Sequence, residues 1–560
     1  MKRTLILSFM LGLLCFSCAG GGSDSKSGST SITNGSSTGA ATTIAASPYA
    51  VSVAETASSY HAEDVIGNIH FDYAIDVDLT ARTAKLTTAS EAINITNDGI
   101  TILTVGGTNV VIAGTDTGIT VTSTVDAAIR YNLTGTFNGT LTFSSADIYQ
   151  IHLNGVAINA SAGPALNLES SQKAFIVTAS GTTNTLADSA NRTLKMKAAL
   201  FSNGPIIFSG DGTLSVSGCY KHGIFSNDYI RINGSTLHVA ASVKDAVRSV
   251  NAFIFDDGNL SINATGTTTD DESKGIKVEG LEGDTGVGKG FIVINGGTID
   301  ITSVGKAITA AWDIDEDADT SSTIDDPDPD VIINNGVINI TTTGQPYENA
   351  DGSSLSPEGI EAKSDMTINN GYLTINTTDD ALNAGKSITI NGGYLYCASS
   401  HNDAIDSNGE LSLKGGVLVA IGSSAPEGSF DYDDDDPSTT YAFRINGGTF
   451  VGIGGNTAKP TSVTQSVVVL GSLASGAMAL KSSNGEVAFA FTIPHSYNTM
   501  ILSSPNISTG TKYTLYTGGS VAATNVFHGL YLGSITYSGG LTASSFTVSS
   551  AITKIGGEYF

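Results

Sequence analysis

The chain has 560 residues, of which 65 are Gly and only 14 % are charged, and its 53 Asp and Glu outnumber 26 Lys and Arg to give a formal charge of −27. So acidic a chain argues against nucleic acid as a partner, because phosphate contacts need clustered Lys and Arg. The length would ordinarily imply several domains, but a repeat protein extends along one axis and can use several hundred residues as one body.

Residues 1–18 read as a targeting segment, with Lys2-Arg3, an apolar run from Leu5 to Phe16, then Ser17-Cys18-Ala19. The run is too short to remain as a spanning helix. It resembles a bacterial lipoprotein signal in which Cys18 becomes the lipidated N-terminus, although Cys15 stands where Leu is usual. Residues 19–47, almost all Gly, Ser, Thr and Ala, fit a flexible tether. The expectation is an exported chain, anchored by lipid to a bacterial membrane, with the outer membrane or cell surface favoured. A plain secretory signal is the alternative.

Residues 48–130 carry irregular strands (Ile93–Ile95, Ile100–Leu103, Val110–Ile112, Ile119–Val121) that predict a cap and first turns, since a repeat stack must cover its open end. Residues 131–461 hold the repeat. Its clearest copies run from Glu358 to Phe450 with a period of 22–23 residues. Each copy has a small residue followed by an aliphatic one (Gly359-Ile360, Ala381-Leu382, Ala404-Ile405), and nine residues later a hexad with apolar ends (Ile368 to Leu373, Ile390 to Leu395, Leu413 to Leu418). The same frame catches Gly223-Ile224 and Ala246-Val247, and, with longer gaps, Gly275-Ile276 and Ala307-Ile308. Alternating apolar and polar residues, enrichment in Ile, Val, Thr and Tyr, and Asn-Gly or Gly-Gly corners predict strands and no helix. An all-β parallel β-helix is the most economical winding, with equivalent residues about 4.8 Å apart in ladders. The hexad position occupied by Asn233, Asn295, Asn334, Asn369, Asn391 and Asn446 is expected to form one such ladder, with Asp256 and Lys414 in the other two turns. Residues 462–560 lose the period; alternating runs around Ser483-Asn484-Gly485 predict an antiparallel hairpin within a C-terminal cap or small β-domain. Cys219 and Cys397 fall six turns apart, too far to bond, and are expected to be buried thiols.

Three groups of residues could carry chemistry. Glu358, Asp379, Asp380 and Asp403 precede the small residue of the repeat, while Glu361, Asn383 and Asp406 follow it by two and should point outward. Carboxylates stacked at about 4.8 Å repel each other unless a cation sits among them, and calcium, a hard ion of flexible geometry, answers that need. A solvated acidic edge is the alternative. Acidic insertions at 267–273, 279–289, 313–330 and 431–436 offer looser calcium loops; the Asp313 to Asp319 alternation fails as an EF-hand because Ala318 and Ile324 replace the required Gly and Glu. Tyr372, Tyr394 and Tyr396 should cluster on one face, where rings suit the apolar faces of sugars, or simply form a cross-strand ladder, and Trp312 opens the longest insertion.

The segments YNLTGTFNGTLTF (131–143), IHLNGVAINASAGPALNLESSQKAFIVTASGTTNTLAD (151–188) and YKHGIFSND (220–228), with the later DDALNAG and NGGYLY, closely resemble a family of bacterial exported carbohydrate-binding proteins. The resemblance covers roughly residues 92–455. It implies a right-handed parallel β-helix related in shape to pectate lyases, binding of cellulose or polygalacturonate, and calcium held on the solenoid. With no lyase motif in the sequence, the expectation is a monomeric polysaccharide binder, not an enzyme, that touches the membrane only through its lipid. A calcium-dependent lyase remains an alternative, with Lys363, Lys386, Arg248 or Lys277 as base, and so does an adhesin or stalk without a sugar site.

Overall fold

The computed structural model describes residues 61–266, 273–279, 290–311, 329–349, 354–433 and 440–556, all within one compact unit, Ala46–Phe560. The proposed lipidation site Cys18, the signal, the tether, Trp312 and most of the acidic insertions lie outside the described residues. The described chain is all-β apart from a four-residue helix, His61–Asp64, and a 3-10 turn, Ile66–Asn68. No helix among the described residues is long and apolar enough to cross a membrane.

The strands form a 14-stranded and a 27-stranded sheet in which repeats pair in parallel, each with its neighbour in sequence. The small-aliphatic marker sits on the 14-stranded sheet, where Ile224, Val247, Ile276, Ile308, Ile360, Leu382 and Ile405 stand in successive register. All seven are at most 1 % exposed. Burying each side chain contributes roughly 1.5–3 kcal/mol, so the aliphatic ladder is the main reason the turns stack. The hexad ends form two further ladders in the larger sheet, one through Phe255, Ile294, Ile333, Ile368, Ile390 and Leu413 and one through Leu260, Ile299, Ile338, Leu373, Leu395 and Leu418. Between them the corner is closed by glycine. Gly371, Gly393 and Gly416 have φ of 124°, 91° and 85°, and a Cβ on Gly393 would lie 2.9 Å from the Gly371 carbonyl oxygen.

The expected Asn ladder is present over five turns and ends at both sides for visible reasons. Each side-chain amide donates to the residue one turn earlier: Asn295 to Asp256 (2.9 Å), Asn334 to Asn295, Asn369 to Asn334, and Asn391 to Asn369 (2.8 Å each). Asn233 is not in the column, because a register shift pairs it with Asp257. Asn446 lies beyond the interruption at Lys414 and bonds Thr464 instead. Asn369→Ala removes one donor and one acceptor from a buried chain of bonds, and should lower stability by about 1–3 kcal/mol in denaturant titration. Unchanged stability would show that the amides contribute only what water returns.

The termini depart from a simple capping role. Residues Ile66, Ile69 and Phe71 pack across the outer face of the larger sheet, over Phe175, Ile207, Tyr229, Ile254 and Phe291. Asp64 fastens this strap: its buried carboxylate accepts from Lys173 Nζ (2.6 Å), the Tyr229 hydroxyl (2.7 Å) and Arg231 Nη1 (3.1 Å). At the other end, the predicted hairpin is formed by Gly476–Ser482 and Val487–Ile493 within a six-stranded antiparallel sheet. That sheet also packs sideways: Phe489, Phe491, Met478 and Leu480 share a core with Val419 and Val451 of the last turns. Thr499–Ser503 joins the large sheet antiparallel to Thr449–Gly454. Cys397 is buried in an interior ladder, whereas Cys219, expected to be buried, is only half-buried.

Candidate functional site

The acidic residues singled out by the repeat do stand in columns. On the outer side of the 14-stranded sheet Thr309, Glu361, Asn383, Asp406 and Asp431 follow one another in register. At the adjoining corner, backbone bonds place Lys306, Glu358, Asp380 and Asp403 at consecutive levels. These corner carboxylates have a structural task. Asp245 Oδ1 accepts the Lys274 N–H (3.3 Å), Asp380 Oδ1 the Asp403 N–H (3.0 Å) and Asp403 Oδ1 the Gly428 N–H (2.5 Å), so each ties its turn to the next. The second oxygen of Asp380 accepts from Asn383 (3.3 Å), and Asp379 accepts from Asn402 (2.8 Å).

The columns split by sign. Glu358 and Glu361 are drawn into ion pairs by Lys306, at 2.9 and 3.0 Å, and Glu361 is also held by Lys363 at 2.9 Å and by the Thr309 hydroxyl at 2.5 Å. Burial opposes charge at Glu361, but Lys306, Lys363 and Thr309 outweigh it and hold its carboxyl below the ordinary range. Glu358 is shifted the other way although it touches Lys306, because burial and the neighbouring Glu361 charge exceed that one contact; of the pair, Glu361 keeps the charge. Glu361 therefore has its cations already, and Glu358 is pushed toward its neutral form beside it.

One turn further on, the environment reverses. Asp379, Asp380, Asp403 and Asp406 form no ion pair with Lys or Arg among the described residues. Burial first, then the surrounding carboxylates, push Asp380 well above the ordinary range. The same causes raise Asp403 to about 8 and Asp406 to about 7, with Asp431 and Glu427 the acidic neighbours common to both. A pocket lined by Asp403, Glu427, Asp431, Asn456, Thr457 and Lys459 opens beside them. Sequence reading missed Glu427 and did not connect Asp431 to the ladder; a spacing of 25 residues from Asp406, set by one short insertion, was the available signal. Among the described residues no group of three or more Asp, Glu, His or Cys side chains is placed to hold a metal ion. The arrangement is an open stripe of oxygens, with at least one carboxylate per turn.

The three tyrosines cluster as expected, and residues of the C-terminal region pack against them. Tyr372 and Tyr394 stack at 6.1 Å, Phe527 meets both edge-on at 5.3 and 5.4 Å, and His528 stacks on Tyr396 at 3.9 Å. The C-terminal sheet thus packs against this ring cluster, leaving Tyr394 and Tyr396 half-buried and Tyr372 38 % exposed. The basic residues considered for a lyase are also engaged. Lys363 pairs with Glu361, Arg248 with Glu279 at 2.6 Å, and Lys277 with Glu279, while Lys386 is exposed at a corner away from these pairs. His222 is fully buried 3.4 Å from Asp245; burial outweighs that partner and lowers its pKa to about 3, so the imidazole is neutral and structural.

No curated protein matches the chain. Among solved structures, the polysaccharide lyase-like protein from C. thermocellum, determined as a gadolinium derivative, aligns at 16 % identity over 56 % of this chain and 96 % of that one, with a TM-score of 0.33. The model of the carbohydrate-binding domain-containing protein family matches residues 115–404, just over half of the sequence and the stretch that includes the first half of the acidic ladder, and the chain therefore belongs to that family.

Proposed function

We propose that the chain is a non-catalytic, calcium-assisted binder of plant-type polysaccharide, pectate or cellulose, wound as a right-handed parallel β-helix and held by lipid at Cys18 on a bacterial surface. One observation carries the calcium reading: the carboxylates Asp380, Asp403, Asp406 and Asp431 crowd together, the first three at least partly buried and shifted upward, while the corner position two turns before Asp380 holds lysine. Such a stripe needs protons or a hard cation. Calcium bound there, with Asp379 and Asn383 adding oxygens, would leave coordination positions open for carboxylates of a polyuronate. A chain of charge −27 has no other evident means of attracting a polyanion. The pairing of Glu361 with Lys306 and Lys363 supports binding over lyase chemistry, because both ammonium groups are engaged by a carboxylate.

Retention on polygalacturonate is expected to require calcium, to vanish in chelator, and to weaken at least ~10-fold, about 1.4 kcal/mol, when Asp403→Asn and Asp406→Asn are combined. Retention that persists in chelator would overturn the metal bridge. Unsaturated uronate appearing in the same mixtures would replace this reading with a lyase.

A further inference from the structure

The three corner loops that wall the acidic pocket have a second side. Residues 399–403, 422–428 and 454–459 contribute Asp403, Glu427 and Asn456 to the acidic pocket, and Ser400, Ser423, Ser424 and Gly455 to another, of about 340 Å3, completed by His495, Ser496 and Asn498 from the C-terminal region. Its volume lies in the range of small-ligand sites. Its lining contains no Asp, Glu, Lys or Arg, unlike the pocket a loop's width away.

The floor is bare backbone for a steric reason. A Cβ on Gly422 would lie 1.4 Å from the Gly428 carbonyl oxygen and one on Gly455 would lie 1.7 Å from the Ala425 nitrogen, so no side chain can fill the space. Around that floor, Ser423 Oγ is spent on the Ser400 carbonyl (3.2 Å) and Ser400 Oγ contacts His401 Nδ1 (2.8 Å). Ser424 Oγ, Ser496 Oγ and the Asn498 side-chain amide make no hydrogen bond among the described residues, although all three line the pocket. Together they offer two hydroxyls and a two-sided amide, with no net charge. A ligand that matches them donates and accepts many neutral hydrogen bonds and carries no ionic group.

We propose that this pocket is a second, calcium-independent subsite that holds one ring of a neutral saccharide; from the proposed function it takes only that the ligand is a saccharide. The loops it shares with Asp403 and Glu427 would let one polymer chain engage both sites in succession.

Titration of the full chain with cellohexaose, xylohexaose and mannohexaose in chelator tests it. At least one of these should bind; Asn498→Ala should weaken that binding at least ~5-fold, as loss of a hydrogen-bonding pair does, and Ser424→Trp should abolish it by filling the pocket. Both positions are exposed, so an unchanged melting temperature accompanies the expected result. No binding of any of the three probes, binding indifferent to both pocket variants, or binding that needs calcium would overturn the subsite. Calcium-dependent polygalacturonate retention is scored separately, so failure of the pocket and failure of the acidic site are told apart.

Discussion

Calcium should raise the melting temperature of this chain far more at pH 8.5 than at pH 5.5. Asp380, Asp403 and Asp406 are the groups responsible. An aspartate in the unfolded chain titrates near 3.9. In the folded chain burial, followed by the charges of Asp431, Glu427 and the other ladder carboxylates, raises Asp403 to about 8 and Asp406 to about 7, and Asp380 is also raised. Between pH 4 and 8 the folded state therefore binds more protons than the unfolded one. The stability these carboxyls contribute is then fully present below about pH 4 and is lost as pH climbs through 7 and 8, with every tenfold gain in a carboxyl's proton affinity on folding equivalent to about 1.4 kcal/mol. Calcium replaces the missing protons. Because it binds only the folded arrangement, calcium at 100 times its dissociation constant adds about 2.7 kcal/mol by mass action. At pH 5.5 protons already occupy the site and compete with the ion, so chelator should change little. Asp403→Asn with Asp406→Asn should make the chelated protein more stable at pH 8.5 and remove the response to calcium. A melting temperature that rises with pH in chelator, or that ignores calcium at pH 8.5, would show that the ladder is a solvated acidic edge.

Much of this arrangement could be read from the repeat, because register in stacked parallel strands follows directly from spacing. The marker Gly359-Ile360, Ala381-Leu382, Ala404-Ile405 places Glu361, Asn383 and Asp406 in one column, and the structure has them there. The same column logic, applied upstream, contains Lys306 two residues before Ile308, so the change from lysine to carboxylate along the corner was legible in the spacing as well. What spacing could not show is what comes from far along the chain. Phe527 and His528 reach Tyr372, Tyr394 and Tyr396 from over 130 residues away in a region without the period, and pack against that ring cluster. Glu427 sits in a loop whose length is unique to one turn. Asn233 leaves its ladder through a bulge, an event of backbone geometry that an Asn in the expected place does not reveal. The strap at 61–71 was equally hidden, since a short segment with one buried aspartate carries no pattern.

That aspartate is where a single substitution should do most damage. Asp64 side-chain oxygens are fully buried and receive Lys173, Tyr229 and Arg231 together. Replacing Asp64 with Ala leaves the Lys173 ammonium, whose side chain is only 12 % exposed, with Glu63 at 3.7 Å as a weak substitute, since the Glu63 side chain is 82 % exposed. Arg231 retains Asp256. Breaking a buried pair by removing one partner costs about 3–5 kcal/mol, and these residual contacts place Asp64→Ala at roughly 3 kcal/mol. Asp64→Asn keeps an acceptor for Tyr229 and one cation and should cost less, which separates charge from hydrogen bonding. The loss is also local: with the clip gone, Ile66, Ile69 and Phe71 lose their hold over Phe175, Ile207, Ile254 and Phe291. Limited proteolysis should then cut within residues 61–72 before any other described segment, and an apolar dye should bind the uncovered sheet face while the aliphatic ladders inside remain folded. If Asp64→Ala melts with the wild type and residues 61–72 stay protected, the strap is held by its apolar contacts alone and the buried carboxylate is a tolerated passenger.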